Sequence, residues 1–283
     1  LNDCQVSMIR VKLTLEYNGA RFHGWQTQTR RADEDDPEVG EETEATFAAT
    51  TFRTVQSVLE TALASLYQQP LVALGAARTD TGVHALGQVA SILIPEDRGP
   101  AAHQLADALN TRLPEDLAVL NAASMPMEFH PIRDARGKRY RYTIVNRRSP
   151  SPLRGDQAWH VSYKLNDDAM RAAAAFLLGR HDFAPLAANL RNIQKARLAA
   201  GKKPLSTLRE LRRLDITRQG MLVHFDAECD GFLYRMVRII TGSLMEVGRG
   251  RFPPEWLADV LAGQAERGST APPHGLTLMD VLY

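Results

Sequence analysis

The sequence predicts an α+β protein, a sheet with helices laid on one face. Three observations carry that expectation. Ile9-Arg10-Val11-Lys12-Leu13-Thr14-Leu15-Glu16-Tyr17 alternates apolar and polar without a break, the pattern of a half-buried strand. Lys138-Arg139-Tyr140-Arg141-Tyr142-Thr143-Ile144 alternates in the same way, with Tyr140, Tyr142 and Ile144 on one face and Arg139 and Arg141 on the other. Between these strands, Val55, Val58, Leu59, Ala62, Leu63 and Leu66 fall at helical spacing and form one apolar stripe, with Thr54 placed to cap it.

In chain order, Asn18-Gly19 closes the first strand with a turn that tolerates positive φ, and Phe22-His23-Gly24-Trp25-Gln26 forms an aromatic knot suited to packing. Residues 30–53 read as an inserted loop without apolar period. After the 54–66 helix come two strands flanking Asp80, led in by Leu71–Leu74 and led out by Gln88–Ile94. A helix near Ala101–Thr111 and a strand at Leu117–Asn121 follow. A second unit begins near Met127–Arg133. Asn166 caps a helix from Asp167 to Leu178 that Gly179 stops. Residues 188–206 form a polar, basic insertion. Strands Leu208–Thr217 and Met221–Glu228 meet at Gln219-Gly220. A helix from Phe232 to Val247, a short helix at Pro254–Ala262 and a strand at Leu276–Tyr283 complete the chain. Each half thus holds strands with helices, which divides the protein into similar α+β units at 9–126 and 127–283 without a residue-level repeat.

A length of 283 residues, 44% hydrophobic and 24% charged, suits a folded protein with a sizeable core. The longest unbroken apolar run, Ala172–Leu178, is far short of a membrane span, and Leu1–Cys4 does not open a secretory signal. Cys4 and Cys229 are too few for a disulfide framework or a cysteine-based zinc site, so a reducing, cytoplasmic setting is expected. The net charge of +1 conceals an asymmetry: residues 33–44 contain eight acids and no Lys or Arg. Outside that block 34 bases face 25 acids, a balance that suits a polyanion such as nucleic acid as well as it suits simple solubility. Seven bases and one acid between Arg133 and Arg148, interleaved with two tyrosines, fit either a charge-guarded sheet edge or an RNA-facing surface, the tyrosines favouring the second.

Asp80 lies between Arg78 and Gly82 on a loop joining two strands, a placement that serves either chemistry or a plain hydrogen-bonded turn. Arg238 sits among Val237, Ile239 and Ile240, and a buried arginine needs a carboxylate partner.

Several motifs stand in order: Glu16-Tyr17-Asn18-Gly19 with Gly24-Trp25-Gln26; Arg78-Thr79-Asp80-Thr81-Gly82-Val83-His84-Ala85 with Gly87-Gln88-Val89; and Lys138-Arg139-Tyr140-Arg141-Tyr142. Gly179 with His181-Asp182-Phe183, Met236-Val237-Arg238 through Val247-Gly248, and Gly275-Leu276-Thr277-Leu278 with Val281 and Tyr283 continue the set. Taken together, the set resembles the TruA family of tRNA pseudouridine synthases. It spans residues 9–29, 54–187 and 207–283. Ala77 stands where that family commonly has Gly, and Thr81 where it commonly has Ala. The stretches 30–53 and 188–206 have no counterpart in the pattern.

The resemblance implies a pseudouridine synthase fold of two ferredoxin- or RRM-like units joined along a central sheet, with a cleft between them. It implies conversion of uridine to pseudouridine in the anticodon stem-loop of tRNA by a homodimer, without metal or cofactor. The eight His and two Cys form no zinc-ligand spacing, which also speaks against a zinc deaminase. Asp80 would be the essential carboxylate, attacking the sugar, attacking the base or removing a ribose proton. Arg238 would keep it ionised and oriented. Arg78 would enter the RNA stem while the base is turned out, and Tyr140 would stack on the uracil and accept or relay the C5 proton. Lys138, Arg139 and Arg141 would contact phosphates. His23, His84 and Tyr142 are assigned to structure. Two rivals stand beside this reading. An aspartic protease, prompted by Asp80-Thr81-Gly82, lacks a second such motif for its dyad. A non-catalytic RNA-binding protein on the same scaffold is the other.

Overall fold

The computed structural model describes residues 7–26 and 52–283; the acidic block 33–44, and with it most of the expected 30–53 insertion, lies outside the described residues. The described chain forms one large mixed sheet with six α-helices, an α+β architecture. The strands are β1 (Met8–Tyr17), β2 (Leu74–Gly75), β3 (His84–Pro95), β4 (Leu117–Met125), β5 (Gly137–Asn146), β6 (Trp159–Val161), β7 (Gly179–Asp182), β8 (Leu208–Gln219), β9 (Leu222–Cys229) and β10 (Leu276–Leu282). Their order across the sheet is β4-β1-β3-β10-β5-β9-β8-β7, with β2 added to β3 and β6 to β5.

The last strand is the seam. β10 runs parallel to β3 through Thr277↔His84 and Leu278↔Ala85, and antiparallel to β5 through Leu278↔Tyr140. The C-terminus thereby joins the strand that leaves the Asp80 loop to the strand that carries Tyr140. Gly87 permits this: a Cβ there would lie 2.5 Å from the Met279 carbonyl oxygen.

Alternation in β1 buries Val11, Leu13, Leu15 and Tyr17, as its pattern requires. Helix α1 (Val55–Tyr67) begins at Thr54 in a reciprocal cap with Ser57, and it buries Val55, Leu59, Ala62 and Leu63. Helix α2 (Leu105–Asn110) follows a single 3-10 turn at Ala102–Gln104, so the expected 101–111 helix is split. Of the lead-in run Leu71–Leu74 only Leu74 pairs with β3, together with the following Gly75, while the Ala73 N–H is taken by the Glu60 carboxylate.

The second half departs from the sequence reading at several ends. Helix α3 (Asp167–Ala175) is capped by Asn166 but stops short of Leu178, because Phe176 and Leu177 close tighter turns onto Ala173 and Ala174 before β7 starts. The 188–206 stretch contains helix α4 (Leu190–Ala199), whose Leu190, Ile193, Gln194 and Arg197 form a half-buried stripe. Helix α5 (Met236–Gly248) starts four residues later than expected. Arg235 adopts φ +58 and the Met236 N–H turns back to the Leu233 carbonyl, so residues 232–235 leave helical geometry. Phe232 is thereby freed to meet Tyr140 edge-on at 5.1 Å between ring centres. Helix α6 (Trp256–Leu261) lies inside its expected bounds. Among the described residues no helix is long and apolar enough to cross a membrane.

Candidate active site

The loop between β2 and β3 is held from below by buried polar bonds. Gln88, fully buried on β3, pairs with Ala77 in both directions: Oε1 accepts from the Ala77 N–H at 3.1 Å and Nε2 donates to the Ala77 carbonyl at 2.7 Å. The Tyr17 hydroxyl meets Thr79 Oγ1 at 2.8 Å, and Gln88 Nε2 also reaches Tyr17. Burial raises the Tyr17 phenol well above its ordinary range, so that oxygen stays protonated.

From the side, the Asn18–Trp25 knot clamps the same loop. The Trp25 N–H donates to the Thr79 carbonyl, and the Gly82 N–H donates to the Phe22 carbonyl. Gly19 and Gly24 are there because nothing larger fits: a Cβ would come within 2.0 Å of the Val83 carbonyl and 2.6 Å of the Thr79 carbonyl, respectively. His84 completes the clamp. Its Nδ1 accepts from the Gly19 N–H at 3.0 Å, which leaves Nε2 to donate to the His274 carbonyl at 3.2 Å. His84 is therefore a neutral structural histidine. His23 instead lies on the surface against Phe52.

This frame presents Asp80 at the floor of a cleft of about 340 Å³ lined also by Ala77, Arg78, Lys138, Tyr140, Phe232, Arg235 and Arg238. Arg238 Nη1 donates to Asp80 Oδ2 at 2.7 Å, and Arg238 Nε donates to the Ala271 carbonyl at 2.8 Å. Arg238 is 9% exposed and the Asp80 side chain 19%, so the ion pair is largely shielded while one side of the carboxylate faces the cleft. α5 is held against the 268–271 segment by Gly242, where a Cβ would lie 1.7 Å from the Ser269 carbonyl oxygen. Arg235 Nε stands 3.9 Å from the same Asp80 oxygen.

Tyr140 lies on the cleft wall and is nearly buried; desolvation raises its phenol far above the ordinary range, with the nearby Asp80 carboxylate adding to the shift. Lys138 shares its strand face and also lines the cleft. Arg139 and Arg141 sit on the opposite face and are engaged across the strand pair, Arg139 with Glu228 at 2.7 Å and Arg141 with Asp226 through two bonds of 2.7 and 3.0 Å. The structure thus brings together Asp80, Arg238, Tyr140, Arg78 and Lys138, and it separates Arg139 and Arg141 from them. Arg78 is exposed at the rim without an ion pair among the described residues.

Comparison with known proteins bears on the whole chain. It is 42% identical over 279 residues to a tRNA pseudouridine synthase A of Myxococcus xanthus, covering 98% of this chain and 92% of that protein. The chain belongs to the tRNA pseudouridine synthase A family. A homologue from Pelobacter propionicus is 40% identical and one from Geobacter sp. (strain M21) 39%, each over 98% of this chain and 99% or more of its own length. The family model for tRNA pseudouridine synthase matches residues 173–283, which hold α5 and Arg238.

For a member of the tRNA pseudouridine synthase A family, the cleft contains residues the sequence reading had given no role. Arg235 and Phe232 both fall inside the helix expected from residue 232, and the left-handed backbone of Arg235 has no pattern signature in a run of Tyr-Arg-Met-Val. Arg209, Ile193 and Leu205 line the cleft from β8 and from the 188–206 stretch. Gln194 ties that stretch together, donating to and accepting from the Leu205 backbone at 2.8 Å in each direction. The alternation in β8 is the available signal for Arg209 and the helical stripe of α4 that for Ile193, while Leu205 lies between the two elements and carries neither.

Proposed function

We propose that the protein isomerises uridine in the anticodon stem-loop of tRNA to pseudouridine, with Asp80 as the essential carboxylate. In that reaction the N1–C1′ bond of the uridine breaks, C1′ rejoins the base at C5, the C5 proton departs and N1 gains one. The observation that carries the reading is the Asp80–Arg238 pair: a carboxylate delivered by a glycine-clamped loop, bonded to a shielded guanidinium 158 residues later, with an open cleft above it. The guanidinium pairs with the carboxylate and fixes its direction, and a charged carboxylate is the form needed whether Asp80 attacks the sugar, attacks the base or removes a ribose proton.

The remaining roles follow from position. Tyr140 offers a ring face for the uracil. Its raised phenol keeps the proton at neutral pH, so stacking is its primary task and a proton relay through the hydroxyl is secondary. Arg78, exposed at the rim, enters the stem where the turned-out base has left a gap, offsetting an unstacking cost of a few kcal/mol. Lys138 contacts phosphate. Arg139 and Arg141, which neutralise acids on the far face, serve at most as secondary phosphate contacts. Helix α4 and the segment after it supply further phosphate contacts: Arg191, Lys195 and Arg197 on the helix and Lys202 and Lys203 beyond it have no acidic partner among the described residues.

In this reading the sheet joins two ferredoxin-like units, 9–126 and 127–283, and the enzyme works in the cytoplasm as a homodimer. Incubating tRNA with the purified protein and mapping pseudouridine tests the proposal. New pseudouridine confined to the anticodon stem-loop supports it; none, with tRNA still bound, returns the reading to an RNA-binding protein.

A further inference from the structure

The cleft above Asp80 holds five bases and a single acid: Arg78, Lys138, Arg209, Arg235 and Arg238 against Asp80 alone. Two of the bases are already satisfied by that carboxylate, Arg238 at 2.7 Å and Arg235 at 3.9 Å. Arg78 stands in solvent at the rim. Lys138 and Arg209 are different. Both are half-buried, on β5 and β8 respectively, and neither has a carboxylate partner among the described residues. Burial, and after it the charge of Arg209, holds the Lys138 ammonium below its ordinary value. Arg209 spends one nitrogen on the Leu208 carbonyl at 2.6 Å, while its Nε is buried without any hydrogen-bond partner.

Two neighbouring cations with no counter-charge, one carrying an orphaned N–H, form an arrangement that costs free energy in the empty protein. An anion with several acceptor oxygens removes the cost. Lysine supplies a point charge and arginine a planar fork, the pair of donors that suits a phosphate. The uncapped first turn of α5, thirteen residues long, borders the same cleft and adds favourable dipole.

We propose that Lys138 and Arg209 form a phosphate subsite that grips a phosphodiester flanking the uridine bound over Asp80. This rests on the RNA reading above and deepens it by naming Arg209, which neither motif nor charge pattern had singled out. The subsite fixes the backbone beside the turned-out nucleotide, so that the energy of one phosphate contact is used to hold the sugar in register with the carboxylate.

The test is a binding experiment in an Asp80→Asn background, where no turnover occurs. Lys138→Met and Arg209→Met, each checked for folding by thermal unfolding, are titrated with an anticodon stem-loop RNA across a salt series. Each should bind about tenfold more weakly, with the slope of log affinity against log salt reduced by about 1. Lys138→Arg and Arg209→Lys should recover most of both. In RNAs carrying one neutral methylphosphonate at successive loop linkages, one linkage beside the target uridine should weaken the parent protein to the level of the Met variants and leave those variants unchanged. Unaltered slopes, or a neutral linkage that weakens parent and variants alike at every position, overturn the subsite. If cancellation is found but the wild-type protein forms no pseudouridine, the subsite stands and the isomerase reading falls. An active wild type with unaltered slopes gives the converse.

Discussion

Arg238 Nη1 lies 2.7 Å from Asp80 Oδ2, and the guanidinium is fixed at its other edge by the Ala271 carbonyl at 2.8 Å. One arginine therefore locks α5, the 268–271 segment and the β2–β3 loop to a single point. Removing it leaves the carboxylate with only the longer contact to Arg235 at 3.9 Å, so Arg238→Leu should lose about 3 kcal/mol of stability, the low end for a broken buried pair, and all detectable product. Denaturant unfolding and a pseudouridine assay measure the two. An Arg238→Leu protein of unchanged stability would mean that the pair is incidental.

Gln88 is the deepest support of the same loop. Gln88→Leu preserves volume but strands the Ala77 N–H and carbonyl, at a cost of about 1–3 kcal/mol for each buried group left unpaired. Because Gln88 does not itself line the cleft and acts only through the Ala77 backbone, tRNA affinity should persist while turnover falls more than tenfold, a split between KM and kcat that steady-state kinetics can read. Parallel loss of both would assign Gln88 to general folding only.

His84 predicts a pH dependence of stability. Burial holds its imidazole below the ordinary 6.5, against the opposing pull of the His274 carbonyl and the Asp156 charge. The unfolded chain thus takes up its proton first as pH falls. Stability is full above pH 6.5 and is lost as pH drops below it. Protonation would also set an N–H against the Gly19 N–H. Melting temperature should fall less between pH 7.5 and 5.5 in His84→Gln than in the wild type, with His224 and His274 common to both. Equal slopes contradict this account of His84.

The bases of α4 test whether the 188–206 stretch is part of the RNA surface. Arg191→Gln with Lys195→Gln, both exposed, should leave stability unchanged and lower the salt slope of tRNA binding by roughly 2. A slope identical to wild type would make them a solvated face and no more.

The sequence reading found the strands with strict alternation and the capped helix, because burial on one side imposes a period that residues 9–17, 55–66 and 138–144 carry openly. That a guanidinium among Val237, Ile239 and Ile240 requires a carboxylate is legible from chemistry alone, whereas the choice of Asp80 as that carboxylate rests on the family resemblance. The sequence reading missed what depends on the neighbours of a segment and not on the segment itself. The start of α5 is set by where Phe232 finds Tyr140 and by the left-handed turn at Arg235, neither written in a hydrophobic period. The stripe of α4 is only half-buried, so its apolar signal is diluted by the bases between. That β10 would insert between β3 and β5, tying the last strand to the Asp80 loop, follows from sheet topology, to which local pattern is blind.

The central claim is that catalysis needs the charged carboxylate of Asp80. Its most direct test is single-turnover conversion of one tRNA uridine by wild type and by Asp80→Asn at equal, saturating protein. The account predicts that the amide variant binds the tRNA with wild-type affinity and yields no pseudouridine. Product from Asp80→Asn at a rate near that of the wild type would contradict it.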